Sequence, residues 1–330
     1  MTVLVTGGAG YIGSHMALAL LDAGRKVVVI DNLSTGFRRA VPEAVPFVEG
    51  CVGDEALVGE IIAEHGVEAI VHFAGSIVVP DSVVDPLGYY LNNTVRSRAL
   101  IAAAVAGGVK RFVFSSTAAV YGEASAEPLD EDVPLAPVSP YGASKLMTEQ
   151  MLADASKAYD LRFVALRYFN VAGADPAGRT GQSSPKATHL IKTASEAVTG
   201  KRDRLRIFGE DYPTPDGTCI RDYIHVTDLV GAHVLALDHL AKGGESLIAN
   251  CGYGRGASVK EVIASMKRVS GSDFLVESAP RRAGDPAALV ANPARVKSVL
   301  GWSPAYDDLD TIVGHALAWE RLAAQKLAVA

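Results

Sequence analysis

The chain has few cysteines, no long apolar runs and no surplus of positive charge, and each shortage argues against a class of protein. Cys51, Cys219 and Cys251 are odd in number among 330 residues and show no paired spacing, which argues against a disulfide framework. No run approaches the ~20 apolar residues of a membrane-spanning helix, so no membrane partner is expected. A formal charge of -6 leaves no basic stripe for a nucleic acid. The eight histidines are scattered. His233 and His239 fall on one predicted helix but not on one face, and no Cys/Asp cluster joins them, so no metal site is expected. No leader pattern precedes the first apolar run, from which a cytoplasmic protein is expected.

What is present has an ordinary globular balance. Hydrophobic residues make up 49% and charged residues 21%, enough to build the core of one large α/β unit or two closely packed domains. Short Val/Ile/Leu/Phe runs predict strands over Thr2–Thr6, Lys26–Asp31, Phe47–Glu49, Ala69–Phe73, Arg111–Ser115 and Arg162–Arg167. Near-continuous apolar runs suit strands buried on both faces. Helical patterns fill the gaps over Tyr11–Ala23, Asp54–His65, Pro86–Ala106 and Tyr141–Asp160. The alternation predicts an α/β fold with a doubly wound parallel sheet. Beyond about Asn170 the pattern breaks into short, Gly/Pro/Ser-rich pieces. The expected division is therefore 1–171 for the sheet domain and 172–330 for a smaller mixed α/β lobe, which covers the carboxyl ends of the strands and leaves scope for strands or helices that return to the first domain.

The first strand runs into Gly7-Gly-Ala-Gly10-Tyr-Ile-Gly13 and then into an alanine- and leucine-rich helix. Glycines there permit a tight turn and close backbone approach to a pyrophosphate, which the helix amino end faces. The same glycines alone would serve a plain turn, but the strand–loop–helix context specifies a dinucleotide site of Rossmann type. Asp31 ends the second strand. A carboxylate there accepts hydrogen bonds from ribose hydroxyls and repels a 2′-phosphate, which predicts NAD rather than NADP. The bland alternative is that Asp31 only starts a turn with Asn32.

Ser139-Pro-Tyr141-Gly-Ala-Ser-Lys145 places a phenol and an amine four residues apart at a helix start, on one face. The strand upstream ends in Ser115-Ser116-Thr117. A phenol titrates near ~10, so service as a base near pH 7 needs a drop of roughly three units, or ~4 kcal/mol. One positive charge at ~6 Å and an effective dielectric of ~20 supplies about 3 kcal/mol. Lys145 together with a nicotinium ring therefore suffices, and neither alone does. Thr117 can orient the hydroxyl that loses its proton. Taken alone, Tyr141 reads as well as a packing tyrosine and Lys145 as a solvated helix residue.

With these motifs in view, the chain resembles the extended short-chain dehydrogenase/reductase group, and within it the UDP-glucose 4-epimerases, over nearly its whole length. The resemblance rests on the glycine loop, His72-Phe-Ala-Gly75, Phe114-Ser-Ser-Thr-Ala-Ala-Val-Tyr-Gly122, the Tyr141/Lys145 motif and Arg167-Tyr-Phe-Asn-Val-Ala-Gly-Ala174. It rests most specifically on Phe208 through His225 and on Ala279-Pro-Arg-Arg-Ala-Gly-Asp285. It implies interconversion of UDP-galactose and UDP-glucose on tightly held NAD by oxidation at C4, turnover of the 4-keto sugar and re-reduction, with Tyr141, Lys145 and Thr117 as the reacting group. It implies a cofactor site of Gly7, Gly10, Tyr11, Ile12, Gly13, Asp31, Asn32, Cys51, Val52, Phe73, Ala74, Gly75, Asn92, Ser115, Tyr141, Lys145 and Tyr168. The implied UDP-sugar site comprises Thr117, Tyr141, Asn170, His189, Leu190, Arg206, Ile207, Phe208, Arg221, Tyr223, Arg282, Asp285 and Leu289. Phe208 matches the aromatic that stacks on uracil, although Ile207 beside it leaves a core-strand reading open. A homodimer is implied as well, and the methionines of the Tyr141–Asp160 helix suit that pairing or internal packing alike.

Four positions depart from the family pattern. Cys51 stands where many members place an adenine-binding aspartate, which implies weaker cofactor retention. Ile77 replaces a lysine found in some relatives, and His189 replaces an asparagine. Leu289 stands at a gate that is tyrosine in strictly hexose-selective relatives, which implies turnover of UDP-N-acetylhexosamines, while UDP-pentoses would fit through lost bulk at C6. The rival 4,6-dehydratase chemistry needs an Asp-Glu pair after the threonine, where this chain has Ala118 and Ala119. A catalytically silent NAD-binding sensor or scaffold on the same fold is the alternative of a different class, and it commonly lacks the Tyr/Lys pair.

Overall fold

The computed structural model describes residues 1–123, 128–184, 187–282 and 285–329. Six strands fall in the first half: β1 (Thr2–Thr6), β2 (Lys26–Asp31), β3 (Phe47–Glu49), β4 (Val67–His72), β5 (Arg111–Thr117) and β6 (Arg162–Tyr168). The helices between them are α1 (Tyr11–Asp22), α2 (Glu55–His65), α3 (Val79–Val84), α4 (Pro86–Tyr89), α5 (Arg96–Ala106) and α6 (Pro140–Ala158). The second half contributes β7 (Asn170–Ala172), α7 (Leu190–Val198), β8 (Leu205–Phe208), β9 (Ile220–Arg221), β10 (Tyr223–His225), α8 (Val226–Ala241) and β11 (Leu247–Cys251). The chain closes with β12 (Ala257–Ser258), α9 (Val259–Ser270), β13 (Val276–Ala279), β14 (Ala288–Leu289), α10 (Ala294–Leu300) and α11 (Leu309–Val329).

The main sheet has seven strands in the order β11-β6-β5-β4-β1-β2-β3, all paired in parallel. Its strands are apolar on both faces because both faces are covered. Val3 and Val5 of β1 point into one core with Val27, Val29, Val113, Val164 and Leu166, together with residues of α1 and α8. Leu4 points the other way with Val28, Ile30, Ile70, Phe112, Phe114 and Phe163, against α2 and α5. Phe112 and Phe114 are fully buried, and each contributes roughly 2–3 kcal/mol of burial. The strand order reverses beside β1, since β2 follows on one side and β4 on the other. That switch point opens a crevice at the carboxyl edge, where ligands bind in such sheets.

One feature differs from the sequence reading. The helix expected over Pro86–Ala106 is broken: a π turn over Tyr90–Val95 separates α4 from α5. The carbonyl of Asn93 in that turn accepts the hydroxyls of Ser97 at 2.5 Å and Thr148 at 3.2 Å. These hydroxyls stand in for regular helix hydrogen bonds. One strand, β11, comes from the far half of the chain and extends the main sheet beyond β6. Elsewhere local signals act as expected. Asp54 caps α2 by accepting from the amide of Leu57, and a Ser258/Glu261 capping box starts α9, which stops at Gly271 in the left-handed conformation. No helix among the described residues is long and apolar enough to cross a membrane.

Candidate active site

Parallel strands end together, so their final residues meet at one edge. Gly7, Asp31, Phe73, Thr117 and Tyr168 each end or follow a strand of the main sheet there. Gly7 has φ 68°, and a Cβ on it would lie 2.7 Å from the amide of Ala74, across the switch point. A Cβ on Gly13 would run into the Gly7 carbonyl. Only glycine permits this approach of β1 to the segment after β4. Gly10 is the N-cap of α1 and offers no side chain to its amides. The first-turn N–H groups of Tyr11, Ile12 and Gly13 are therefore left for an anionic ligand. Tyr11 also donates its hydroxyl to the Gly173 carbonyl at 2.7 Å, tying the loop to the second half of the chain.

Asp31 is buried, and its two carboxylate oxygens accept the amides of Ala9 at 2.9 Å and Leu33 at 2.8 Å. Leu33 is the one non-glycine residue with positive φ among the described residues, so the carboxylate braces a strained turn. Asn32 accepts from Ser34 within the same turn. Asp31 thus performs the turn role and still has lone pairs for a ribose; a carboxylate accepts at about four sites. The glycine cradle, the uncapped helix start and this carboxylate together fit NAD, and a 2′-phosphate would meet the negative charge of Asp31. Farther along the edge, the Cys51 sulfur accepts from the amide of Gly53 at 3.4 Å and Val52 is buried. The side chain of Asn92 donates to Ser76 at 2.8 Å and accepts from Arg96 at 2.6 Å. Phe73 packs on the ring of His233, with centroids 4.9 Å apart.

Tyr141, Lys145 and Thr117 are brought together. Ser139 caps α6 and Pro140 opens it, so Tyr141 stands in the first turn beside the end of β5. The Thr117 hydroxyl accepts the amide of Ala119 at 3.1 Å and works against burial at the Tyr141 phenol. Lys145 donates to the Ser115 carbonyl at 3.1 Å and lies 4.9 Å over the Phe114 ring. Burial dominates the acid–base chemistry here. It pushes the Tyr141 phenol up to about 12, against the hydrogen bond from Thr117. It pulls the Lys145 ammonium down to about 8, against the pull of Glu149. Tyr168 shares a 2.5 Å hydrogen bond with the Ser115 hydroxyl, and burial raises its phenol.

The remaining residues named from the sequence lie on the second half of the chain. Asn170, His189, Leu190 and Tyr223 line a single cavity that also reaches Lys192, Trp319 and Glu320. Gln182 holds the His189 ring at 2.8 Å. Arg221 is buried and ion-paired with Asp285, and it donates to the carbonyls of Ile220 at 2.7 Å and Pro286 at 2.8 Å. Strand alternation splits β8: Arg206 is exposed and pairs with Glu277 at 3.1 Å, whereas the side chain of Ile207 is in the core. Only the backbone of Ile207 is available to a ligand. The Arg282 guanidinium lies 3.9 Å over the Phe208 ring. Ala283 and Gly284 of that arginine motif lie outside the described residues. Leu289 packs on the cluster of Ala118, Val120, Tyr121 and Leu129, next to Thr117.

Residues that the sequence reading passed over also converge here. Asn93, buried beside the chosen Asn92, accepts the amide of Ser76 at 2.7 Å and donates to the hydroxyl of Ser144 on α6 at 3.0 Å. Glu149 and Arg167 form a buried ion pair behind Lys145. Neither carries a local signal, because a π turn shifts the side-chain register and an ion pair across 18 residues has no spacing rule.

The model of the NAD dependent epimerase/dehydratase family matches residues 3–252. A UDP-glucose 4-epimerase of Azospirillum brasilense is 61% identical over 319 residues, covering 97% of this chain and 92% of that protein. The crystal structure of UDP-glucose 4-epimerase from Brucella ovis in complex with NAD superposes with a TM-score of 0.93 at 48% identity, covering 96% of this chain and 97% of that one. The UDP-Glc/GlcNAc 4-epimerase of Campylobacter jejuni superposes with a TM-score of 0.85 at 50% identity, covering 97% and 99%. With a matching model over three quarters of its length and relatives of this similarity, the chain belongs to the NAD-dependent epimerase/dehydratase family, among its UDP-glucose 4-epimerases.

Proposed function

We propose that the chain interconverts UDP-galactose and UDP-glucose by oxidation and re-reduction at C4 of the sugar. The observation that carries this reading is the meeting of Thr117 at the end of β5 with Tyr141 and Lys145 in the first turns of α6, beside the glycine cradle at the switch point. NAD, when bound, supplies the acceptor and later the donor of a hydride. Tyr141 takes the proton of the 4-hydroxyl as that carbon is oxidised and gives the same proton back on reduction, so the residue ends each cycle as it began. Thr117 holds the reacting hydroxyl, and Lys145 supplies positive charge to the phenol. The amides of Tyr11–Gly13 are assigned to the pyrophosphate and Asp31 with Asn32 to a ribose. Cys51 and Val52 are assigned to the adenine, and Phe73–Gly75, Asn92, Ser115 and Tyr168 to the rest of the cofactor wall.

UDP is assigned to Asn170, His189, Leu190, Arg206, the Ile207 backbone, Phe208, Arg221, Tyr223, Arg282 and Asp285. Arg221 and Arg282 suit a diphosphate because the guanidinium fork matches its oxygens. Leu289 abuts the cluster around Ala118 beside Thr117. A leucine there in place of tyrosine leaves room at the sugar, so we assign additional turnover of UDP-N-acetylhexosamines; UDP-pentoses are assigned as well because they lack the bulk at C6. A homodimer is supported by exposed apolar side chains on elements that pack together: Val84 (86% exposed), Leu87 (79%), Leu91 and Val95 beside Met147 of α6. Three free thiols suit a reducing compartment, the cytoplasm.

Incubation with UDP-galactose, without added oxidant or reductant, tests the reading. The wild-type chain should yield UDP-glucose, and Tyr141→Phe should lower the rate by about 10³-fold, within the ordinary range for loss of an acid–base group. A silent NAD-binding scaffold would yield no product from either chain. Light scattering that returns the mass of one chain would remove the dimer.

A further inference from the structure

One turn beyond Lys145 on α6 lies a buried ion pair that none of the steps above uses. Glu149 and Arg167 are 2% and 3% exposed. Arg167 donates to Glu149 from Nη2 at 2.7 Å and from Nε at 3.0 Å. Ser116, the neighbour of Thr117, gives its hydroxyl to the same carboxylate. The other arm of Arg167 donates to the Tyr121 hydroxyl at 3.1 Å, which passes its own proton to Asn250 at 2.6 Å. The carboxylate is thus held from β5 and from β6, and its counter-ion from beyond. Stability is a poor reason for such a pair, because an apolar pair of similar volume is often as stable.

Lys145 gives a better reason. It precedes Glu149 by four residues, one turn away on the same face of α6. Its direct contacts, the Ser115 carbonyl and the Phe114 ring, carry no formal charge. The other titratable or charged groups around it are Tyr141 on its own helix, His72 at the end of β4, Tyr168 on β6, which acts on Tyr141, Arg167 on β6, which pairs with Glu149, and Tyr89 of α4, which acts on Tyr141. Glu149 is the one carboxylate among these groups.

We propose that Glu149 is a positioning residue for the reaction: its clamped, buried carboxylate keeps Lys145 an ammonium at the place where the Tyr141 phenol needs a positive charge. The inference rests on the reading of Lys145 given above. Burial works against this charge state, and the carboxylate is the group that opposes burial. A unit charge at ~6 Å in an effective dielectric of ~20 moves an ammonium by about two pH units.

The test is Glu149→Gln in the full chain with its cofactor. Because this leaves Arg167 unpaired, the double variant Glu149→Gln/Arg167→Gln serves if the single one does not fold. Two midpoints are measured: the alkaline limb of kcat for UDP-galactose, and the pH at which Lys145 is half-labelled by acetic anhydride, read by peptide mass and independent of turnover. Both should fall by one unit or more in the single variant and by at least half a unit in the double. In the single variant kcat at pH 8 should drop at least five-fold with KM within two-fold, and Glu149→Asp should recover part of the loss. Unmoved midpoints beside a lowered melting temperature would overturn the proposal and leave the pair a purely structural one. If the wild-type chain makes no UDP-glucose, the epimerase reading fails, while the labelling midpoint still decides whether Glu149 controls Lys145.

Discussion

Mild acid should destabilise this protein before most of its carboxylates titrate. The perturbation is a fall in pH from 7.5 to 5, and the groups concerned are His15, His72, His225 and His233, all buried. Burial pulls His72 and His225 down to about 3 and His15 and His233 to about 4. His72 shows why the charged form is excluded. The Ser97 hydroxyl is already donated to the Asn93 carbonyl, so it accepts from His72 Nε2 at 2.8 Å. The ring's Nδ1 must then accept from Thr6 at 2.7 Å, and the Thr6 oxygen accepts the amide of Ala74 at 3.3 Å. This is a directed chain that only a neutral imidazole completes, and Lys145 adds a like charge nearby. The sign follows from linkage. An imidazole whose folded pKa is depressed leaves stability intact above the unfolded value of ~6.5, and stability is lost as pH falls from there towards 3–4. At pH 5 each such histidine costs about 2 kcal/mol, four cost about 8 kcal/mol, and a domain has ~5–15 kcal/mol to lose. Thermal unfolding followed by circular dichroism at pH 7.5, 6.5, 5.5 and 5.0 and constant ionic strength should show the melting temperature falling by on the order of 10–15 °C. His72→Asn should lower stability at pH 7.5 yet flatten the pH slope by about one proton. A melting temperature that is level between pH 7.5 and 5 would refute the reasoning.

Three further substitutions address the site. Lys145→Met should lower kcat about 10²-fold with little change in KM, because ~3 kcal/mol of charge stabilisation is lost; a loss under five-fold would remove Lys145 from the chemistry. Asp31→Asn keeps the side chain's size but removes its charge, so NADP binding measured by fluorescence titration should strengthen relative to NAD by about ten-fold; an unchanged ratio would mean that Asp31 only braces the turn at Leu33. Leu289→Tyr should cut turnover of UDP-N-acetylglucosamine at least ten-fold while leaving UDP-galactose within three-fold, read by product chromatography; equal losses on both would show that the position is not a gate.

The parts of this architecture that depend on local chemistry were legible in the sequence. Buried parallel strands are apolar without interruption, and β1 through β6 could be located on that ground to within a few residues. The cradle at Gly7–Gly13 was visible because only glycine fits beneath Ala74 and the Gly7 carbonyl. The parts that depend on distant partners were not legible. β11 joins the sheet by pairing with β6 some eighty residues earlier, and nothing in Leu247–Cys251 specifies that edge. Asn93, which turns inward beside Asn92, has no signal of its own, because a π turn breaks the 3.6-residue period. Arg221 and Asp285 were given separate ligand roles, whereas folding sets them against each other. On β8, Phe208 and Ile207 were both named, although alternation allows a strand to present only one of two neighbours to a ligand.

The same burial that assembles the site also sets its central energetic problem. A phenol near 10 would need three units of help to work near pH 7, but Tyr141 stands at about 12, so the deficit is about five units, or ~7 kcal/mol. Thr117 already acts within that value. One cation at ~6 Å is worth about 3 kcal/mol, less than half of the deficit, so most of it is left to charge that arrives with the ligands. The phenol therefore stays protonated until the site is filled, which keeps a strong base from being exposed to water between turnovers. The arrangement holds only while Lys145 keeps its own proton, and at about 8 it sits within one unit of losing it. A buried site of this kind depends on each of its few charges, and the carboxylate of Glu149, one turn farther along α6, acts on the phenol through the lysine it supports.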